Sequence, residues 1–369
     1  MGAKKKVFWL AAVAIVVGVA IALTSCGSSG GSSGSASTAA GPKIALLLPE
    51  SKTARYETQD KPLFEAKVKE LCPDCQILYS NANQDATQQQ SQAEAALANG
   101  AKVLVLDPVD SASATTIVTK ANQAKVPVIA YDRPIPNANL TYFVGFDTRK
   151  VGVLQGQALL AKLTAVGGAG KAIVMINGAP TDPNAAQFKA GAHSVLDGKV
   201  KIGAEYDTPD WSPDQAQTEM DQAITKLGKN GFVGVYCAND GTAGGAIASM
   251  TGAGIDPKTK PTTGQDAELP AIQRILAGQQ YMTVYKAIKP EAGDAAMLAV
   301  AVAKGQSAPA SLTLAKINNG TNQVNALILT PVAVTAANIK STVVADGFWT
   351  AKDICTSAYA AACTSAGIQ

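Results

Sequence analysis

Polar and aromatic side chains recur in this sequence just beyond short aliphatic runs. Arg55 and Tyr56 follow the run at 44–48, Asp132 and Arg133 follow 128–130, and Asn184 lies past 172–176. Asn239 follows 232–236, Asp266 follows 262–264, Lys286 follows 282–285, and Trp211 sits in Asp210-Trp211-Ser212-Pro213. Ionised carboxylates only accept hydrogen bonds, whereas guanidinium and ammonium groups only donate. A neutral molecule bearing neighbouring hydroxyls satisfies both kinds, through charge-assisted bonds of about twice the neutral strength. The flat faces of Tyr56 and Trp211 suit the apolar C–H patches of a saturated ring. Asp132 and Asp266 would repel a phosphate. Each residue also has a plainer use: Asn239-Asp240-Gly241 as a turn or helix cap, Asp132 and Arg133 as an ion pair, Trp211 as core. The same chemistry at six strand ends favours a shared site.

The elements that must carry these residues alternate. Strands are expected at 44–48, 76–79, 103–106, 128–130 and 142–144, separated by helical stretches at 54–71, 86–98 and 115–124. The pattern then runs again, with strands at 172–176, 200–202, 232–236, 262–264 and 282–285 and helices at 184–196, 213–227, 242–250 and 269–277. A helix at 291–303 leads to a strand at 326–329. Near-continuous aliphatic strands alternating with helices indicate parallel sheets covered on both faces. The fold class expected is α/β, with two doubly wound, Rossmann-like lobes. In such sheets a ligand sits beyond the carboxyl ends of the strands, where these side chains fall.

Composition narrows the chemistry. With 369 residues, 47% of them apolar and 16% charged, the chain suits two globular domains and not a disordered one. The net charge of +3 equals the contribution of Lys4, Lys5 and Lys6, so the body carries no basic footprint for nucleic acid. His193 is the only histidine, which argues against a histidine-based metal site or a serine or cysteine dyad, and it is expected at a helix surface or core edge. Gly241-Thr242-Ala243-Gly244-Gly245 is not GxGxxG, and Gly167-Gly168-Ala169-Gly170-Lys171 is not a P-loop. No cofactor and no metal are expected. Asp107-Pro108 reads as cleft-edge structure.

The first forty residues read as export and tethering. Lys4-Lys5-Lys6 precedes an uncharged apolar run at 7–23. Leu23-Thr24-Ser25-Cys26 resembles the lipobox of bacterial lipoproteins, which implies a diacylglyceryl group on Cys26 and cleavage before it; an uncleaved signal anchor is the alternative. Residues 27–41 contain only Gly, Ser, Ala and Thr, a flexible tether spanning roughly 20 Å. The body is thus expected outside the cytoplasm, held to the membrane by its lipid alone. Cys72 and Cys75, and Cys355 and Cys363, form two close pairs read as structural disulfides in an oxidising compartment. A crosslink between the pairs, or metal or redox chemistry at the CxxC, are the alternatives. Cys237 is expected as a small buried hydrophobe.

The segments Tyr131-Asp132-Arg133, Asn239-Asp240-Gly241-Thr242-Ala243-Gly244-Gly245-Ala246-Ile247, Gly264-Gln265-Asp266-Ala267 and Met282-Thr283-Val284-Tyr285-Lys286 carry a family resemblance. Over about 43–350 the sequence is similar to the periplasmic sugar-binding proteins of ABC transporters, the D-xylose-binding ones among them. That resemblance implies two Rossmann-like lobes joined by three hinge strands, with a monosaccharide, D-xylose first, bound between them. It implies sugar contacts from Arg55, Tyr56, Asp132, Arg133, Asn184, Trp211, Asn239, Asp266 and Lys286. Two features depart from it: Tyr56 stands where the family often has Trp, and the cysteine pairs lie outside the enteric pattern.

The resulting organisation is a signal peptide at 1–25 and a lipidated cysteine with tether at 26–42. A first lobe takes 43–147 plus 287–312, and a second takes 148–286 plus 313–369. The expected role is a monomeric, non-enzymatic receptor handing sugar to a permease and its ATPase. A sensor ectodomain presenting to a kinase or chemoreceptor would share the site. An extracytoplasmic glycosidase would pair Asp132 with Asp266, but Arg133 and Lys286 nearby disfavour the raised pKa that a general acid needs.

Overall fold

The computed structural model describes residues 41–368. The expected lipidation site Cys26, the signal peptide and most of the tether lie outside them.

The first α/β run comprises β1 (Lys43–Leu48), α1 (Lys61–Leu71), β2 (Gln76–Asn81), α2 (Ala86–Ala98), β3 (Ala101–Leu106), α3 (Thr115–Gln123), β4 (Val128–Tyr131) and β5 (Tyr142–Phe146). Its strands pair in parallel in the order β2-β1-β3-β4-β5. Side-chain alternation explains the aliphatic density of β1. Ile44, Leu46 and Leu48 enter the hydrophobic cluster on one face, while Ala45 and Leu47 enter the cluster on the other. β3 divides likewise, Val103 and Val105 against Leu104 and Leu106. The order reverses around β1, and beyond the carboxyl ends of β1 and β4 lie Arg55, Tyr56, Asp132 and Arg133.

The second run comprises α4 (Thr148–Ala165), β6 (Ala172–Asn177), α5 (Pro183–Leu196), β7 (Lys201–Asp207), α6 (Pro213–Leu227), β8 (Val235–Cys237), α7 (Asp240–Gly252), α8 (Leu269–Leu276) and β9 (Thr283–Tyr285). Its parallel sheet has the order β7-β6-β8, again with both faces covered: Ile173 and Met175 join one cluster, Val174 and Ile176 the other. The strand expected at 200–202 extends to Asp207, and the one at 262–264 is reduced to a single bridge from Thr262 to Val235. The helix expected over 54–71 opens with a wide π-type turn, Tyr56–Asp60, before α1.

The chain then returns. α9 (Ile288–Ala303) packs on α1 and β3. β10 (Ala315–Asn318) and β11 (Gln323–Leu329) complete the first sheet beside β5, with β11 parallel to it. This differs from the expected boundary, which placed everything from 313 in the second lobe. Asn325–Leu329 finds its hydrogen-bond partners on Tyr142–Phe146, so the crossing falls after Leu329. β12 (Val332–Val334) pairs antiparallel with β9, and the tail carries α10 (Ala351–Ile354) and α11 (Ala360–Ser365). The tail residues Val343, Phe348, Ile354 and Cys363 share a cluster with Ile44 and Leu46, so the tail does not belong to the second sheet alone. Three connections thus join the halves, after β5, β9 and β11.

Cys72 is bonded to Cys75 and Cys355 to Cys363, with Cα atoms 5.3 and 5.8 Å apart. Cys237 is free and buried, as its place in an aliphatic strand requires.

Candidate functional site

The loops at the strand ends converge on one cavity of about 270 Å³. All nine residues singled out from sequence line it: Arg55, Tyr56, Asp132, Arg133, Asn184, Trp211, Asn239, Asp266 and Lys286. Thr53, Asp182, Phe188 and Gln265 line it too and were missed. Their signals were local. Asp182 precedes Pro183 at a helix start, Gln265 adjoins Asp266, and Phe188 lies one turn beyond Asn184 on α5.

Asp132 is the centre of the arrangement. Its Oδ2 accepts from Arg55 Nη2 at 2.6 Å and from Lys286 Nζ at 3.0 Å. Its Oδ1 accepts from Asn184 Nδ2 at 2.9 Å, which ties the loop after β4 to the first turn of α5 in the other half. Burial alone would raise this carboxyl, but Arg55 and Lys286 outweigh it and hold it well below the usual carboxylate range. Arg55 is gripped from behind by Asp60, through Nε at 3.1 Å and Nη2 at 3.0 Å. Asp266 Oδ1 lies 3.6 Å from Arg55 Nη1 and 3.4 Å from Lys286 Nζ, within electrostatic reach of both.

Arg133 builds the neighbouring wall. Nη1 donates to Pro108 O at 3.0 Å and Nη2 to the Tyr56 hydroxyl at 3.3 Å. Its Nε lies 3.0 Å from Asp182 Oδ2, an ion pair across the two halves. The same Asp182 oxygen accepts from Trp211 Nε1 at 3.2 Å. Asp107-Pro108, read as cleft-edge structure, thus supports Arg133, with the Asp107 carboxyl 3.5 Å from Nε. Trp211 leans on Phe188, centroids 6.3 Å apart, and lies over Gly178, where any Cβ would run into the indole. Asn239 does both of the things its position allowed: Oδ1 caps α7 by accepting from Thr242 N at 2.8 Å, and the residue lines the cavity.

Backbone conformation marks the same loops. Asp132, Asp210, Trp211, Asp266 and Ala267 have φ of 53°, 56°, 54°, 95° and 50°, left-handed values uncommon outside glycine. Buried polar atoms here also lack hydrogen-bond partners: Arg55 Nη1 among donors, and Asn184 Oδ1, Gln265 Oε1 and Asp266 Oδ1 among acceptors. Leaving such groups unpaired is costly, so the cavity favours a ligand that both donates and accepts. Burial also pushes the carboxyls of Glu291 and Asp107 well above their ordinary values.

Two other residues stand apart. His193 lies on α5 with Nδ1 2.8 Å from Asp197 Oδ1 and Nε2 3.0 Å from Glu205 Oε1, a surface ion cluster outside the cavity. Among the described residues no group of three or more His, Cys, Asp or Glu is placed to hold a metal ion.

The sequence model of the periplasmic binding protein domain matches residues 44–307. The chain belongs to the periplasmic binding protein family. It is 36% identical to the D-xylose-binding periplasmic protein of Escherichia coli over 83% of this chain and 90% of that relative. The D-xylose-binding periplasmic protein of Haemophilus influenzae is also 36% identical, over 85% and 92%. Among solved structures, an ABC transporter solute-binding protein from Clostridium phytofermentans with bound β-D-glucose superposes with a TM-score of 0.76. It is 27% identical, covering 85% of this chain and 99% of that one. A carbohydrate transporter solute-binding protein from Chloroflexus aurantiacus in complex with D-glucose gives 0.74 at 27% identity, over 84% and 97%. The two-lobed, doubly wound α/β fold expected from sequence is therefore established as the type I periplasmic binding protein fold, and its extracytoplasmic setting comes with the family.

Proposed function

We propose that this chain is the solute-binding receptor of an ABC sugar importer and takes one monosaccharide, D-xylose first, between its two halves. The observation that carries the reading is Asp132. One buried carboxylate joins Arg55, Lys286 and Asn184 across the cleft, amid unpaired donors and acceptors that a neutral polyol matches. The names of the 36%-identical relatives support xylose, and the glucose in the solved neighbours supports a pyranose.

In this reading Arg55, Arg133, Asn184, Asn239, Asp132, Asp266 and Lys286 bind hydroxyls, while Tyr56 and Trp211 flank the ring. The halves are residues 43–147 with 287–329, and 148–286 with β12; the tail bridges both. Sugar contacts both walls only when they are together, so it favours the closed state by that differential affinity and presents it to the permease. Lipid on Cys26 holds the monomer to the membrane through the Gly/Ser tether. The role requires no catalysis, and an Asp132 carboxyl held far below the usual range is the opposite of a glycosidase acid.

A thermal-shift panel of xylose, glucose, galactose, arabinose and ribose tests the reading. At one hundred times Kd a ligand adds about 2.7 kcal/mol of stability, a shift of several degrees. One sugar is expected to give it at sub-millimolar concentration; no shift from any of the five contradicts the proposal.

A further inference from the structure

The tail of the chain is held at the residues next to the site. Asp346 accepts from the Tyr285 hydroxyl, one residue before Lys286, and the Phe348 ring meets Tyr285 edge-on with centroids 5.1 Å apart. Phe348 O accepts from Gln59 Nε2 at 3.3 Å, in the turn that follows Arg55. Trp349 Nε1 donates to Ala267 O at 2.8 Å, one residue after Asp266. Farther along, Gln273 Nε2 on α8 reaches Ile354 O at 3.3 Å, and Cys355 is bonded to Cys363.

The corner that Trp349 grips is unusual. Asp266 and Ala267 are consecutive non-glycine residues with positive φ, a conformation that lasts only where its surroundings over-determine it. Inside the second half, Asp266 N donates to Val284 O at 2.8 Å and Ala267 N to Thr283 Oγ1 at 3.2 Å. Those bonds fix the amide side of the corner. Trp349 takes the carbonyl side, and it comes from the tail, which also touches the first half through Gln59.

We infer that Trp349 is a positioning residue for Asp266: its indole N–H holds the left-handed corner that aims the carboxylate between Arg55 and Lys286, and the Cys355–Cys363 loop keeps the tail in place to do so. The inference deepens the sugar-receptor reading and rests on it. Ring packing on Phe348 and hydrogen bonding to Ala267 are separable, because phenylalanine at 349 keeps the first and loses the second.

The test is calorimetric titration of the purified full chain with xylose, glucose, galactose, arabinose and ribose, for wild type, Trp349→Phe, Asp266→Asn and the double variant. Melting temperatures of the sugar-free proteins are measured alongside. Trp349→Phe is expected to weaken binding about tenfold with a melting shift no larger than about 2 °C. In the Asp266→Asn background the same change is expected to cost less than twofold, since its target is gone. A Cys355→Ala/Cys363→Ala variant is expected to show the same dependence on Asp266, and it carries the test if Trp349→Phe does not fold. Wild-type affinity in Trp349→Phe, or losses that multiply in the double variant, overturns the inference alone. A wild-type chain that takes none of xylose, glucose, galactose, arabinose and ribose overturns the receptor reading and this inference with it.

Discussion

Lys286 Nζ lies 3.0 Å from Asp132 Oδ2, joining residues 154 positions apart in sequence. Both side chains are buried, and Lys286 is held above its ordinary pKa, against burial and Arg55, by Asp132 and Asp266. Removing Lys286 strips one of two cations from Asp132 and the nearer of two from Asp266, and breaking a buried ion network of this kind costs up to about 3–5 kcal/mol. Lys286→Met is expected to lower sugar affinity at least a hundredfold and to lower the melting temperature as well, measured by titration and thermal unfolding. Retained affinity would remove Lys286 from the site.

Asn239 combines a structural and a binding duty, and substitutions separate them. Serine is as good an N-cap as asparagine but is too short to extend beyond the cap. Asn239→Ser is expected to keep the melting temperature within about 1 °C while weakening sugar binding tenfold or more. Asn239→Ala is expected to lose the same affinity and, in addition, about 1 kcal/mol of stability with the cap.

Gly178 gives Trp211 its place. A methyl group there meets the indole ring, and the indole must swing toward Phe188 or into the cavity. Gly178→Ala is therefore expected to reduce affinity at least tenfold and to shift tryptophan emission in the sugar-free protein. An unchanged spectrum with unchanged affinity would show that the ring does not depend on this contact.

The surface cluster around His193 predicts a pH effect on stability independent of sugar. Burial opposes its charge, but Glu205 and Asp197 outweigh it and raise its pKa above the ordinary 6.5. A raised folded pKa means that its contribution is fully present below 6.5 and lost as pH rises through the folded value. Denaturant unfolding is expected to show stability declining above pH 6.5. His193→Gln should flatten that decline and leave affinity at pH 6 unchanged. A decline of the same size in the variant would assign the titration elsewhere.

Much of the site was legible because strand ends announce themselves. Ile44 to Leu48 and Val128 to Ala130 are buried on both sides, so their aliphatic runs are unbroken, and the loops beyond them bring Arg55, Tyr56, Asp132 and Arg133 to the cavity. Asp182, Phe188 and Gln265 escaped because each has a sufficient local explanation, as cap, core or neighbour, and only tertiary placement adds the cavity. β11 illustrates the other limit. Its alternating pattern marks a strand, but nothing in Gln323–Leu329 itself says that its partner is β5 and not a strand of the second sheet. The tail was opaque for the same reason, since Phe348 meets Gln59 and Trp349 meets Ala267 only through contacts between segments far apart in the chain.

The central claim is that one monosaccharide is held between the two halves by the groups around Asp132 and Asp266. Isothermal titration of residues 42–369 with xylose, glucose, galactose, arabinose and ribose, beside an Asp266→Ala variant, tests it most directly. The account predicts saturable binding of one sugar per chain, xylose foremost, that disappears in the variant. Absence of binding by all five sugars, or equal affinity in the variant, would contradict it.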